Sequence, residues 1–293
     1  AVHVAAQGVL SGAYDMVVAC GVVSMIRVPM GSNVRGAEDP FGPGIAALFP
    51  EGLVPQGISA ELIAAKWGLS RAQMDAFAAG SHQKAAAAWA NGLFDAEVAP
   101  LEGVTRDESV RPATTTEILA GLKPAYYDPG YAERFPQIDW SVTAGNASPI
   151  NDGASAVLIT SSETAARLGL RPLARLHSFA VTGSDPLLML TGVVPATEKV
   201  LRKAGLALGD IDLFEVNEAF ASVVLTWQQE TGADLSRVNV HGGAIALGHP
   251  LGASGTRLTT TLVHAMRERG ARYGLQTMCE AGGLANAMVI EAV

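Results

Sequence analysis

The stretch from His241 to Gly255, HGGAIALGHPLGASG, limits the fold of this chain more than any other. Five of its fifteen residues are glycine and one is proline, so no helix or strand runs through it unbroken. Glycine admits positive φ and lets the backbone approach other groups closely, and here Gly248 and Pro250 bracket a histidine, His249. A second turn of this kind, Cys279-Glu280-Ala281-Gly282-Gly283, follows thirty residues later. A histidine and a thiol carried on such turns can converge on one small reacting group, which suits acyl chemistry on a thioester.

The sequence around these turns alternates strand and helix patterns, the mark of an α/β fold. A helix opens the chain and ends near Ser11-Gly12. Asp15 to Gly21 is a β-branched apolar run of the kind buried in a parallel sheet. From Pro29 to Ala147 glycine and proline punctuate often, and helices at Ser59–Trp67 and Arg71–Asn91 alternate with irregular polar stretches such as Thr105–Thr116, so this reads as an inserted, loop-rich domain. Order returns with a strand over 151–160 and a helix over Ser162–Leu168, and Leu170-Arg171-Pro172 marks a boundary. Beyond it the pattern predicts strands at 174–180, 213–216 and 238–241, helices at 195–204, 219–231 and 254–269, and a final hairpin of 273–280 with 287–291. The division is therefore 1–27 with 148–169, an insertion at 28–147, and a second α/β domain at 170–293.

Composition excludes several partners. The net charge of −8 is scattered, and no Lys/Arg stripe forms the footprint of a nucleic-acid binder. No apolar run reaches membrane-spanning length, and the first basic residue is Arg27, so the start is unlike a secretory signal; a cytoplasmic protein is expected. Two cysteines, Cys20 and Cys279, are too few for a disulfide framework or a structural zinc site, and no metal is expected.

Each candidate residue has a bland explanation beside the chemical one. Asn217, in Glu215-Val216-Asn217-Glu218-Ala219-Phe220, sits where a strand gives way to a helix, and on that motif alone helix capping accounts for it. Its position at a strand end is also where ligands bind in open α/β sheets. A lone loop histidine is usually just solvated, yet an imidazole held like His249 can take a thiol's proton or donate to a thioester oxygen. Cys279 ends an apolar strand, so core packing is its default, while the glycine turn after it suits a proton-shuttling thiol. His241 reads as structural.

Together these residues carry a resemblance. Asn217 to Phe220, Gly242 to Gly255 and Cys279 to Gly283 resemble the three C-terminal signatures of the thiolases in content and spacing. Tyr14 to Met25, Val142 to Ser148 and Asn151 to Ala154 are similar to the same family, so the likeness extends over nearly the whole chain. It implies a layered α/β/α/β/α thiolase fold with an inserted loop domain and an incomplete N-terminal half. It also implies an acyl-CoA acetyltransferase that cleaves 3-ketoacyl-CoA with coenzyme A as co-substrate and no permanently bound cofactor, acting in fatty-acid or other lipid degradation as a homodimer or homotetramer. By that resemblance His249 would activate the nucleophile and, with a water held by Asn217, form an oxyanion hole. Cys279 would be the general acid/base, the Ala281 N–H would hold the acyl-enzyme oxyanion, Ser148 would lie beside the pantetheine arm, and Phe220 would line the pocket.

The chain departs from the family pattern at Ala281, commonly glycine, and at Val23 and Ile26, which replace a usual Glu and Ser. The family's nucleophilic cysteine lies just ahead of the helix that opens here at Ala1. That helix has no capping residue before it, so the chain is expected to continue upstream, and these 293 residues alone are expected not to turn over. The alternative is a thiolase-like acyl-CoA or lipid-binding protein without the nucleophile. A β-ketoacyl synthase, on the same fold, would carry no thiol in the Cys279 turn.

Overall fold

In the computed structural model, residues 1–37 and 41–293 are described. In chain order the elements are α1 (Val2–Leu10), β1 (Met16–Val23), α2 (Gly42–Leu48), α3 (Gln56–Lys66), α4 (Arg71–Ala90), α5 (Thr116–Ala120), α6 (Pro129–Arg134), β2 (Gly153–Thr160), α7 (Ser162–Arg167), β3 (Ala174–Gly183), α8 (Val193–Ala204), β4 (Leu213–Val216), α9 (Ala221–Thr231), α10 (Ala244–Leu247), α11 (Ser254–Arg269), β5 (Tyr273–Glu280) and β6 (Leu284–Ala292). The strands form a two-stranded sheet, β1-β2, and a four-stranded sheet in the order β3-β6-β5-β4. Within the larger sheet β4 runs parallel to β5, while the β5-β6 hairpin and the β6-β3 pair are antiparallel.

Helix α11 lies between the two sheets. Its Leu258, Leu262 and Met266, four residues apart on one stripe, are fully buried. Leu262 and Met266 join Val2 and Ala5 of α1, Ala19 of β1 and Met288 and Ile290 of β6 in a shared core. The opposite face of the large sheet is covered by α8, whose Val193, Ala196, Val200 and Leu201 are buried at helical spacing. Its end is set by Gly205 at φ 69°. The longest helix, α4, starts where the sequence dictates: the Ser70 side chain accepts from the Gln73 N–H and the Gln73 side chain accepts from the Ser70 N–H, a complete capping box.

Two expectations are corrected. The apolar run in β1 is not buried in a parallel sheet; it pairs antiparallel with β2 and alternates, leaving Val18 57 % and Val22 79 % exposed. A β-branched run indicates a strand but not its partner or how many faces are covered. The segment 238–241 is not a strand either. It shrinks to one parallel bridge of Val238 with Phe214, where the Asn239 N–H donates to Phe214 O at 2.9 Å; there Asn239 takes φ 46°, and its side-chain amide continues the pairing along β4, Oδ1 accepting from the Val216 N–H at 2.8 Å and Nδ2 donating to Val216 O at 2.9 Å.

Candidate active site

All four residues of β4 are buried although it is the last strand of its sheet, and it delivers Asn217 at its carboxyl end. The Asn217 N–H continues the ladder by donating to Thr277 O of β5 at 3.0 Å, so Asn217 lies beside the strand end that carries Cys279 two residues on. Asn217 is fully buried and does not cap α9, whose N-cap is Phe220. Its Nδ2 lies 3.2 Å from His249 Nε2, and its Oδ1, also buried, has no protein partner among the described residues. A buried amide oxygen left open in this way is a place for a water or a ligand group.

His249 is fixed from both sides. Its backbone N–H donates to Asn151 Oδ1 at 2.9 Å, and its Nδ1 lies 2.5 Å from Ser254 Oγ at the first turn of α11. Gly248, at φ 90°, makes the turn possible, and a Cβ there would sit 2.2 Å from Asn151 Nδ2. The loop then packs onto the small sheet: Pro250 closes against Gly153, and Gly252 lies under Val23 Cγ2, so Val23 supports the histidine loop. Burial, with Arg257 adding to it, lowers the His249 pKa to about 4.

Cys279 is buried at the end of β5, opposite Ala285 of β6, and desolvation raises its thiol to about 12. The turn after it takes positive φ at Gly282 (75°) and Gly283 (83°), whereas Ala281 is exposed and keeps a negative φ that its Cβ tolerates. Asn286 Nδ2 donates to Glu280 Oε1 at 2.5 Å across the same hairpin. Ser148 is half-buried and reaches the Asn217–Phe220 motif through its N–H, which donates to Ala219 O at 3.0 Å. Phe220 is buried in the core, edge-on to Tyr126 at 5.9 Å between ring centroids. His241 pairs with Glu268 at 3.0 Å and packs against Phe94, away from these groups.

Sequence reasoning left out the supports. Glu218 is buried and accepts from Ser81 Oγ (2.6 Å), Asn239 Nδ2 (2.8 Å) and the Ile245 N–H (3.1 Å), tying β4, α4 and α10 together. A Cβ at Gly243 would lie 2.2 Å from Glu218 Cδ, so that turn must be glycine. Behind the histidine, Arg257 Nη1 donates to Glu215 Oε1 at 3.2 Å, and desolvation, against the pull of Arg257, raises Glu215 to about 8. Glu97, on the segment before α5, is raised by burial to about 7 and accepts from Thr261 Oγ1 at 3.2 Å. Their partners lie 42 to 164 residues away in sequence, a separation that carries no local signal.

Two family profiles divide the chain between them. One described as the thiolase N-terminal domain matches residues 1–163, and one described as the thiolase C-terminal domain matches residues 170–292. The chain belongs to the thiolase family. This thiolase is 43 % identical to a 3-ketoacyl-CoA thiolase of Bacillus subtilis over 98 % of its own length and 74 % of the relative's. It is 42 % identical to a steroid 3-ketoacyl-CoA thiolase of Mycobacterium tuberculosis, over 99 % of this chain and 71 % of the other. The human mitochondrial 3-ketoacyl-CoA thiolase, solved in complex with CoA, superposes with a TM-score of 0.86 at 38 % identity, over 98 % of this chain and 73 % of that one. The layered α/β arrangement of the thiolase is thus the fold of those structures.

Proposed function

We propose that this thiolase cleaves 3-ketoacyl-CoA with free CoA to give acetyl-CoA and a shortened acyl-CoA, and runs the reverse Claisen condensation, in the degradation of fatty acids or other lipids. The contact of Asn217 with His249 beside the strand end of Cys279 carries the reading, because both reactive groups hold the protonation state that cleavage requires. At neutral pH a histidine lowered to about 4 is an uncharged base, and a cysteine raised to about 12 is a protonated acid.

In the cleavage direction the attacking thiol gives its proton to His249 Nε2 as its sulfur bonds to the 3-keto carbon. Negative charge gathers on the carbonyl oxygen and collapses to break the carbon–carbon bond, and the electron pair leaves with the acetyl-CoA fragment as an enolate. Cys279 protonates the enolate carbon, and a CoA thiol returns that proton when the acyl group is transferred onward. Asn217 would order a water against its open Oδ1, and that water with the protonated Nε2 would donate to the thioester oxygen. The Ala281 N–H would hold the second oxyanion, Ser148 would flank the pantetheine arm and Phe220 would back the pocket.

A homodimer or homotetramer accords with the exposed apolar Val18, Val22 and Leu158 on the small sheet. A reducing, cytoplasmic setting accords with two unpaired cysteines, one of them exposed. The test is thiolysis of acetoacetyl-CoA and longer 3-ketoacyl-CoAs by the protein as its gene encodes it, with acetyl-CoA release measured. His249→Ala should lower kcat by roughly 10²–10⁴. A wild-type protein that binds acyl-CoA and leaves every thioester intact would overturn the proposal in favour of a non-catalytic binder.

A further inference from the structure

Histidine has two ring nitrogens, and only a bare Nε2 can take the proton of an attacking thiol. The hydrogen bond made by Nδ1 decides which nitrogen is bare. At His249 that bond is to Ser254 Oγ at 2.5 Å. Ser254 is fully buried at the first turn of α11, and its hydroxyl carries a single proton. The hydroxyl has a second neighbour, Pro250 O at 2.9 Å, which is a carbonyl and can only accept.

We propose that Ser254 is the positioning residue that selects the tautomer of His249: its proton is held by Pro250 O, so its oxygen accepts from Nδ1–H and leaves Nε2 as a lone pair. The proposal rests on the base role assigned to His249 above. Asn217 agrees with it from the other side, since its Nδ2 is turned to Nε2 as a donor, and a donor there requires a lone pair opposite. The chain also serves the step that follows. When Nε2 takes a thiol proton, the Nδ1–H, the Ser254 hydroxyl and Pro250 O keep the same donor directions, so nothing on the Nδ1 side of the ring has to reorient. With the opposite hydroxyl direction, Ser254 donating to Nδ1, Nε2 would already carry a proton and could not act as base.

A serine in this place orients the ring without adding charge. A carboxylate at Nδ1 would favour the cation, whereas a hydroxyl backed by a carbonyl leaves the imidazole neutral. The Gly248-His249-Pro250 turn and the start of α11 are therefore one device: Pro250 cannot donate a backbone N–H, and its carbonyl also takes the N–H groups of Ala253 and Ser254 at 2.9 Å each, which fixes it beneath the hydroxyl.

The deciding measurement is long-range ¹⁵N–¹H correlation on the full chain labelled at histidine nitrogens, with the His249 signals assigned by their loss in His249→Gln. Wild type at neutral pH should show a pyrrole-type Nδ1 and a pyridine-type Nε2, the tautomer that free histidine disfavours. Ser254→Ala should shift His249 toward the Nε2–H form, and Ser254→Thr, which keeps a hydroxyl, should retain the wild-type pattern. In thiolysis Ser254→Ala should lose about 100-fold in kcat with KM within about threefold, and Ser254→Thr should recover most of it. A wild-type ring protonated at Nε2, or a Ser254→Ala ring with unchanged tautomer, overturns the proposal. If Ser254→Ala does not fold, the wild-type and Ser254→Thr spectra still decide. The spectra do not depend on turnover, so failure of the thiolysis reading and failure of the tautomer assignment are separate results.

Discussion

Glu218→Gln is the substitution whose cost follows most directly from the structure. It preserves shape and replaces one carboxylate oxygen by an NH₂ donor. Oε2 receives Ser81 Oγ–H and the Ile245 N–H, and Oε1 receives Asn239 Nδ2. If the new NH₂ takes the Oε2 place it faces the Ile245 N–H, a backbone donor that cannot rotate. If it takes the Oε1 place it faces the Asn239 NH₂. Asn239 cannot flip to accept, because its own oxygen serves the Val216 N–H and its nitrogen serves Val216 O. Either placement loses one hydrogen bond to a charged group, about 1.5–3 kcal/mol, and leaves a buried donor unpaired, about 1–3 kcal/mol. Some relaxation reduces the sum, so a loss of about 3 kcal/mol is expected, or roughly 6–9 °C in Tm for a chain of this size. Urea and thermal unfolding followed by circular dichroism measure it. A loss below about 0.5 kcal/mol would refute the claim that these three donors converge on one acceptor. The variant should also lower kcat, because the Gly243–Leu247 turn it anchors leads directly into His249.

Three further outcomes are expected. The kcat of thiolysis should fall as pH drops toward about 4, where His249 becomes charged and ceases to be a base; a profile still flat at that end would contradict its buried, neutral state. Gly248→Ala should cost about 1–3 kcal/mol from its φ of 90° alone, and combining it with Asn151→Ala should relieve the clash but not the backbone strain, so additivity in a double-mutant cycle would count against the contact. Glu215 binds a proton more tightly folded than unfolded, so it draws stability down as pH rises from about 4.5 toward 8. Glu215→Gln should remove part of that decline in Tm between pH 5 and 8, and an unchanged slope would show that Glu215 is not the titrating group.

Much of the site was legible because glycine, proline and chemically reactive side chains are local signals. The breaks at Gly248, Pro250 and Gly282-Gly283 located two turns, and the strand patterns before Asn217 and Cys279 put both at strand ends. Asn217 shows where local reading stops. Capping explains it on the motif alone, yet in the fold Phe220 starts α9 and the Asn217 amide turns to a histidine 32 residues away. The expected strand at 238–241 was cut to a single bridge at Val238 for a related reason, since beyond it the Asn239 side chain supplies what a strand's backbone would have given β4.

The sequence by itself determined the α/β alternation, the glycine turns and the candidate side chains carried on them, because dihedral preference and hydrophobic period act over a few residues. Only the tertiary structure decided what those side chains are. Burial, with the charge of Arg257 adding to it, makes His249 a neutral ring, desolvation at the end of β5 keeps Cys279 protonated, and Ser254, Asn151 and Glu218 hold the loop in place. Those properties depend on desolvation and on partners brought from distant parts of the chain, and neither is encoded in any short stretch of residues.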